Sequence, residues 1–280
     1  MRRVLAIGDV FGKTGRRALS QLLPQARIEF APDVVIANGE NAAGGCGITS
    51  KVFDHLTTDL GVNYLTMGNH WHDKPEVHNV LMRTDRIVLP ANMSNVPSEI
   101  QGLRIVSVEG ERPFKFALMN LIGRAFMHGE NRCPFTTVDR LMALIPDEVK
   151  LRIVDMHAEA TSEKQAMGHY LSGRASLVYG THSHVPTADG RILDGQTGYI
   201  TDVGMTGAYD SVVGIRKEAS IHRMITSLKK GWEPAEKDPW VTFLIADCDE
   251  ISGKCLELRH VIWKLSEFKF PEEKKEVLST

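Results

Sequence analysis

The sequence predicts an α/β fold built on a largely parallel sheet, and three observations support this. Short runs of β-branched and other apolar residues recur along the chain. Each run ends in a loop rich in Gly, Asp, Asn or His, and several of these loops lead into a stretch with helical apolar spacing. Short buried strands that alternate with helices are typical of parallel sheets whose two faces are both covered.

The first half of the chain shows this pattern three times. The apolar runs 4–7, 34–37 and 64–67 lead into the loops 8–9, 38–41 and 68–70. Between the runs, residues 16–30 and 50–60 have helical apolar spacing. The first half therefore predicts three strands joined by helical crossovers.

The second half repeats the pattern twice and then changes it. Strand-like runs at 151–156 and 176–179 end in the segments 157–159 and 180–184, and a helix is predicted from Ser162. Stretches 240–246 and 256–265 flank a turn at 249–253, which predicts an antiparallel hairpin. Since no linker, repeat or low-complexity tract divides the chain, we expect one domain over 1–270 and a charged, solvated tail over 271–280.

The composition is that of a globular protein and excludes several classes of partner. Hydrophobic residues make up 42% of the 280 residues and charged residues 24%, with a formal net charge of -2. There is no basic stripe, so neither a nucleic-acid duplex nor a membrane surface is an expected partner. No run approaches the ~20 apolar residues of a membrane helix, and residues 4–7 are too short for a secretory signal. With four scattered cysteines explained as reduced thiols, the expected location is the cytoplasm.

Polar residues that can bind metals or move protons follow all five strand-like runs. They are carboxylates, amides and imidazoles: Asp9, Glu40, Asn41, Asn69, His70, His157, His182 and His184. The carboxyl ends of strands are where open α/β sheets bind ligands. These ligand types suit Mn, Fe or Zn, so the sequence predicts a transition-metal site at this edge.

Each of these residues also has a simpler explanation. Asp9 could cap the following helix, Asn41 and Asn69 could be turn residues, and His157 could be a satisfied buried histidine. Residues 180–184 favour a metal more strongly. Two imidazoles two residues apart project to the same side of an extended backbone and can straddle a pair of ions.

A nucleotide-binding P-loop at residues 8–14 is a rival that the sequence excludes. Three residues separate Gly8 from Gly12, where the P-loop pattern has four, so the loop is too short to wrap phosphates. Asp9 inside the loop would also repel them.

The spacing of these motifs resembles the calcineurin-like metallophosphoesterases. The matching segments are Gly8-Asp9-Val10-Phe11, Gly39-Glu40-Asn41, Gly68-Asn69-His70, His157 and Gly180-Thr181-His182-Ser183-His184. The chain departs from the family pattern in three places: Phe11 replaces a histidine, Glu40 replaces an aspartate, and Thr181 is inserted. These departures are similar to the bacterial YmdB-like branch, as are segments 41–45, 157–164 and 202–207. The resemblance covers roughly residues 3–214 and is looser beyond.

The resemblance implies a four-layer α/β/β/α sandwich with two Fe or Mn ions. It also implies hydrolysis of 2′,3′-cyclic nucleotides, such as 2′,3′-cAMP, to nucleoside 3′-monophosphates by metal-activated hydroxide. The implied ligands are Asp9, Asn41 and His184 for the first ion and Asn69, His157 and His182 for the second, with Glu40 bridging. His70 is the implied general acid, and Asp73 either orients it or begins the next helix. Substrate-binding residues stay open: residues 204–210 read as a glycine-rich loop, in which Tyr209 either stacks on a base or packs.

Two other functions compete with the phosphodiesterase. One is a metal-binding regulatory protein with vestigial catalysis, against which the presence of His70 argues. The other is a phosphomonoesterase, such as a 5′-nucleotidase, or a phosphoprotein phosphatase on the same scaffold. These relatives usually keep the histidine that Phe11 replaces. The physiological substrate, the metals, the pathway and a possible homo-oligomer are left open.

Overall fold

The computed structural model describes residues 1–228, 231 and 233–269. The first half contains β1 (Arg2–Ile7), β2 (Asp9–Val10), α1 (Gly12–Phe30), β3 (Val34–Asn38), α2 (Ser50–Asp54), a π-helical turn (His55–Asp59), β4 (Tyr64–Thr66), α3 (Val77–Arg83) and β5 (Ile87–Val88). Next along the chain are a 3-10 turn (Glu99–Gly102), β6 (Leu103–Val108), β7 (Phe114–Ile122), α4 (Pro134–Ala143), β8 (Leu151–His157), α5 (Thr161–Tyr170) and β9 (Leu177–Thr181). The chain continues with β10 (Arg191–Leu193), β11 (Thr197–Ile200), β12 (Met205–Ala208), α6 (Lys217–Thr226), β13 (Pro239–Cys248), β14 (Cys255–Lys264) and a 3-10 turn (Leu265–Glu267).

The strands form two sheets rather than one. The first has the order β2-β12-β13-β1-β3-β4-β5, with β14 paired to β13, and the second has the order β10-β11-β9-β8-β7-β6. Pairing is parallel for β1-β3-β4-β5 and for β7-β8-β9-β11, and antiparallel for β13 against β1 and β14 and for β6 against β7. The α/β class is therefore confirmed, but the predicted strands are divided between two mixed sheets.

Alternation along the strands places the two sheets face to face. In β1, Val4 and Ala6 belong to a buried cluster shared with β8 and β9, while Leu5 and Ile7 pack with α1 on the other face. This period of two is what a strand buried on both faces requires.

The second sheet mirrors this arrangement. In β8, Leu151 and Ile153 face the shared cluster, whereas Val154 and Met156 pack with α4 and α5. One apolar core thus lies between the sheets, and another lies under the helices on each outer face. The four-layer count implied by the resemblance stays a prediction.

The predicted elements occur with shifted boundaries. Helix α1 begins at Gly12, about one turn before residue 16, and the helix predicted over 50–60 ends at Asp54 and continues as the π-helical turn. A β-carbon on Gly15 would lie 2.1 Å from the carbonyl oxygen of Thr206, so only glycine lets α1 approach β12 this closely.

The predicted hairpin is confirmed as β13 and β14. The predicted tail, 271–280, lies outside the described residues, and the single-domain boundary stays a prediction. Within the described ranges, no helix is long and apolar enough to cross a membrane.

Candidate metal centre

The metal-binding and acid–base residues that the sequence singles out meet between the two sheets. Asp9, Glu40, Asn41 and Asn69 lie on or just after β2, β3 and β4 of the first sheet, whereas His157, His182 and His184 lie at or after the ends of β8 and β9 of the second. The sequence placed all of them along the edge of one sheet. The site is instead built where the carboxyl ends of two facing sheets converge.

One group consists of Asp9, Asn41 and His184. The Nε2 atom of His184 lies 3.2 Å from the Asn41 amide oxygen and 3.8 Å from Oδ1 of Asp9. Its Nδ1–H donates to the carbonyl oxygen of Val213 at 2.9 Å, so the Nε2 lone pair faces the two oxygens. The N-cap residue of α1 is Phe11, so Asp9 does not cap that helix.

A second group surrounds His157, which is fully buried. Its Nε2 atom lies 3.1 Å from Glu40 Oε1, 3.3 Å from the Asn69 amide oxygen and 3.1 Å from Nδ1 of His182. One ligand atom from each of Glu40, His157 and His182 lies within 4.8 Å of the others. His157 is thus fully buried with polar partners at both ring nitrogens.

Charge within these groups is strongly perturbed. Burial opposes a charge on His157, but Glu40 beside it raises its pKa to about 9. Burial would raise the pKa of Glu40, yet His157 holds it well below its usual range. Burial and the neighbouring His157 lower the pKa of His182 to about 3, so this ring is neutral with a lone pair on Nδ1. Burial raises the pKa of Asp9 to about 7.

Gly68 leaves the space into which these atoms point. A β-carbon there would lie 2.1 Å from Nε2 of His157 and 2.3 Å from Oε2 of Glu40. Any other residue would therefore fill the centre of the second group. A carboxylate, an amide oxygen and two imidazoles converging on such a space fit a transition-metal ion.

The segment carrying His182 and His184 differs from the expected extended backbone. His182 has φ 93° and His184 has φ 64°, both left-handed. Their rings consequently reach different groups: His182 contacts His157, and His184 contacts Asn41. The expectation that both project to one side of an extended strand was wrong, because the strand β9 ends at Thr181.

A buried ion pair fixes this turn. Asp202 accepts hydrogen bonds from the Ser183 N–H at 3.1 Å, from the Ser183 hydroxyl at 2.8 Å and from the Gly204 N–H at 2.7 Å. The Asp202 carboxylate also forms an ion pair with Lys164, whose Nζ donates to it at 2.7 Å, and both side chains are almost wholly buried. Lys164 and Asp202 belong to the segments 157–164 and 202–207, so contact between these segments holds the two histidines in place.

His70 lies at the rim, with 37% of its side chain exposed. The backbone N–H of His70 donates to Oε2 of Glu40 at 3.0 Å, and the ring atom Nδ1 lies 2.7 Å from Oδ2 of Asp73. Asp73 does not begin the next helix, since α3 starts at Val77 with Glu76 as N-cap residue. The carboxylate therefore fixes the Nδ1–H, and Nε2 is the ring atom turned away from it.

Phe11, which replaces a histidine of the family pattern, and Tyr209, whose role the sequence left open, both pack within the fold. Phe11 is buried with its ring edge-on to His184, the centroids 5.4 Å apart, so it packs against a candidate ligand. Tyr209 stacks on Trp240 with centroids 4.0 Å apart, and its hydroxyl donates to Met205 at 2.9 Å. The expected glycine-rich loop at 204–210 is largely the buried strand β12. Tyr209 therefore packs within the fold.

Sequence reasoning gave no role to several residues that support the site: Asn38, Asp155, Glu159, Lys164 and Asp202. Glu159 lies 3.2 Å from Nε2 of His182, which leaves Nδ1 of that ring to face His157. A signal was available for Asp155, since a carboxylate two residues before His157 in a buried strand points to the same side. No comparable signal pairs Lys164 with Asp202 across 38 residues.

The chain is similar to proteins of one family over almost its whole length. The sequence model of a family described as "YmdB-like protein" matches residues 5–261. The chain belongs to the YmdB-like family. The match extends through β13 and into β14 as far as Val261, a region that the sequence resemblance had left outside its range.

Individual relatives cover nearly the whole chain. A Bacillus subtilis protein named 2′,3′-cyclic-nucleotide 2′-phosphodiesterase is 39% identical over 261 residues, covering 93% of this chain and 96% of the relative. Two solved structures share a TM-score of 0.85 and cover 94% of the chain: a Thermus thermophilus protein described as hypothetical, at 36% identity and 99% of its length, and a Mycoplasma pneumoniae phosphatase, at 30% and 93%. The Bacillus subtilis calcineurin-like phosphoesterase YfkN has a TM-score of 0.57 at 12% identity over 99% of this chain and 95% of its own, which shows a shared fold.

Proposed function

We propose that this protein is a dinuclear-metal phosphodiesterase that hydrolyses 2′,3′-cyclic nucleotides to nucleoside 3′-monophosphates. One observation carries the proposal: oxygen and imidazole ligand atoms from both sheets converge in two adjoining groups, with an acid–base histidine at their rim. The name of the Bacillus subtilis relative supports the cyclic-nucleotide substrate.

The proposed ligands follow the two groups. Asp9, Asn41 and His184 would hold the first ion, Asn69, His157 and His182 would hold the second, and Glu40 would bridge them. We propose Fe or Mn for both ions, because imidazoles mixed with oxygen ligands suit these metals better than Mg. The cytoplasmic location and a homo-oligomeric state stay predictions.

When bound, two such ions supply charge that polarises a phosphoryl oxygen and lowers the pKa of a water for attack on phosphorus. The residues of the chain do the rest. Asp9, Glu40 and Asn41 are almost wholly buried, which limits access of bulk water to the site. His70 lies at the rim, where Nε2 can deliver a proton to the departing ribose oxygen as the P–O2′ bond breaks. Asp73 keeps the ring in the orientation that this transfer needs.

The test is metal analysis combined with a substrate panel. Protein purified without oxygen should contain about two transition-metal ions per chain. It should convert 2′,3′-cAMP to 3′-AMP and act less well on 5′-AMP and on phosphoserine peptides. A protein without bound transition metal that gains no activity with Mn²⁺ would contradict the phosphoesterase. Two bound ions without turnover would favour the regulatory alternative, and preference for monoesters would favour a 5′-nucleotidase.

The acid role of His70 gives a separate prediction. His70→Ala should retain both metals but lower kcat on 2′,3′-cAMP by about 10²- to 10⁴-fold, because the ribose oxygen is a poor leaving group. Hydrolysis of bis(p-nitrophenyl) phosphate should fall much less, since its leaving group needs little protonation. Equal losses on the two substrates would remove the assignment.

A further inference from the structure

A closed network of polar side chains lies directly behind His157. The Nδ1 atom of His157 is 2.9 Å from the hydroxyl of Thr181, and that hydroxyl is 2.7 Å from Oδ1 of Asp155. The other oxygen of Asp155 accepts from the hydroxyl of Thr66. None of the four side chains is exposed, so their polar atoms form hydrogen bonds with one another and not with bulk water.

One arrangement of protons makes both short contacts of the Thr181 hydroxyl hydrogen bonds; a longer contact, of 3.5 Å, joins Nδ2 of Asn38 to Nδ1 of His157. A threonine hydroxyl carries a single proton, and the carboxylate of Asp155 has none to give, so Thr181 donates to Asp155. The lone pair of the Thr181 hydroxyl must then accept from His157, which places a proton on Nδ1. The opposite ring atom, Nε2, is the one that faces Glu40, Asn69 and His182.

The same network ties the two sheets together. Thr66 ends β4 of the first sheet, while Asp155 and Thr181 belong to β8 and β9 of the second. Asn38, at the end of β3, lies 3.5 Å from the Thr181 hydroxyl through Nδ2, and its Oδ1 accepts from the N–H of Glu40 at 3.1 Å. The atoms that orient His157 are therefore anchored on the sheet that supplies Glu40.

We propose that Thr181, with Asp155 behind it, is a positioning residue that locks His157 in the Nδ1–H tautomer and presents Nε2 to the second metal ion. This inference rests on the proposed function. It gives a role to the inserted residue of the last motif. The chain of hydrogen bonds from His157 through Thr181 to Asp155, called the relay below, would thus orient one ligand of the second ion in addition to the backbone. Groups that orient ligands in this way typically account for 10- to 100-fold in metal affinity.

Four variants test the relay. Thr181→Val keeps the shape but removes the hydroxyl, Thr181→Ser keeps the hydroxyl, and Asp155→Leu removes the oxygen that accepts the hydrogen bond from Thr181. Thr57→Val is the matched control, because Thr57 is also buried and its hydroxyl donates to the Phe53 carbonyl at 2.8 Å, outside this network. Metal-stripped protein is titrated with Co²⁺, and proton NMR of the Co²⁺ form records the exchangeable N–H signals of the ligand histidines.

Thr181→Val and Asp155→Leu should weaken binding of one Co²⁺ by about 10- to 100-fold. In Thr181→Val, one slowly exchanging N–H signal should move and exchange faster with solvent. A second, from the His184 ring bonded to Val213, should stay unchanged. Thr181→Ser and Thr57→Val should behave like the wild type. Unchanged affinity and N–H signals in Thr181→Val would overturn the relay alone, whereas a wild-type protein that binds no Co²⁺ would overturn the proposed function and the relay with it.

Discussion

Asn41 shows how one side chain can serve both the turn and the centre. Its Nδ2 donates to the carbonyl of Gly45 at 3.1 Å, which shapes the turn over 41–45, and its Oδ1 faces His184 at 3.2 Å. Phe11 cannot be a ligand, so the proposed first ion would take this amide oxygen in place of the missing imidazole. The two functions can be separated because they use different atoms.

Asn41→Ala should therefore lose one ion per chain and the phosphodiesterase activity, while the ion held by His157 and His182 stays bound. Asn41→Asp is the matched control, since it keeps an oxygen ligand but loses the donor to Gly45. We expect it to retain both ions and to have a lower thermal midpoint. Metal analysis beside a melting curve separates the outcomes. If Asn41→Ala keeps two ions and only melts earlier, the residue shapes the turn alone.

His157 gives a prediction about pH. Its pKa of about 9 lies above the ordinary value of 6.5, so at pH 7 the ring is protonated in metal-free protein, and a metal must displace that proton from Nε2. Binding should release about one proton from His157 and a fraction of one from Asp9, whose pKa is about 7. Apparent affinity should rise with pH up to about 9 and then level off. Calorimetry in two buffers of different ionisation enthalpy measures the release, and identical heats would contradict it.

At the scale of elements, the turn after β9 depends on the contact between α5 and the segment after β11. Lys164 on α5 and Asp202 after β11 are nearly unexposed, and removing one partner of such a pair leaves an uncompensated buried charge. Lys164→Ala should lower the free energy of unfolding by about 3–5 kcal/mol. The substitution should also remove a constraint on the turn at Ser183. It should therefore weaken the binding of both metal ions, because His182 and His184 flank that residue.

Arg174→Ala supplies the control from the end of the same helical region. Arg174 pairs with Asp139 at 2.6 Å, but both side chains are about two-fifths exposed, at 39% and 43%. Solvent screening makes such a pair worth less than about 1 kcal/mol. Urea unfolding of the two variants should give clearly different midpoints. Equal losses of unfolding free energy in the two variants would mean that Lys164 stabilises the fold no more than an exposed ion pair does.

The elements also show what the sequence could and could not predict. The strands β1, β3, β4, β8 and β9 were found because each apolar run stops at a residue with metal-binding chemistry. Strand β7 was missed, although it lies beside β8 with Ile122 opposite His157, because no such residue follows its apolar run. The local pattern could not predict the division into two sheets, since alternating strands and helices look the same whether a strand pairs with the first sheet or the second. Only the family resemblance, with its α/β/β/α sandwich, implied it.

The candidate residues were more predictable than their geometry. Asp9, Asn69 and His157 were singled out because each follows an apolar run, whereas the left-handed backbone at His182 is held by Asp202, which lies 20 residues further along the chain. Contacts of that kind are set by tertiary packing, which a single sequence does not display.

For the whole molecule, the proposed ligands come from both sheets, so metal binding should stabilise the assembly of the two halves. Glu40 and Asn69 come from the first sheet and His157 and His182 from the second, so an ion held by them would cross-link the sheets. Free metal at 100 times its dissociation constant should add about 2.7 kcal/mol to the free energy of unfolding.

Calorimetry should accordingly show that chelator-treated protein melts several degrees lower and recovers when Mn²⁺ is restored. His182→Ala, which lacks one proposed ligand, should respond to Mn²⁺ much less. If stripped and restored wild-type protein melt together, the ions do not join the sheets.

The left-handed backbone of His182 and His184 has a consequence for how this family can diverge. Such conformations cost a histidine of the order of 1–3 kcal/mol each, and glycine would adopt them freely. The two histidines thus have backbone conformations that cost free energy. Selection for their proposed role as ligands would offset that cost. In a descendant that no longer needs this chemistry, selection for stability would favour glycine at both positions before it altered the buried residues around them. A glycine in place of either histidine, in a chain that otherwise keeps the Lys164–Asp202 pair, would mark a lineage whose catalysis has been given up while its fold has been kept.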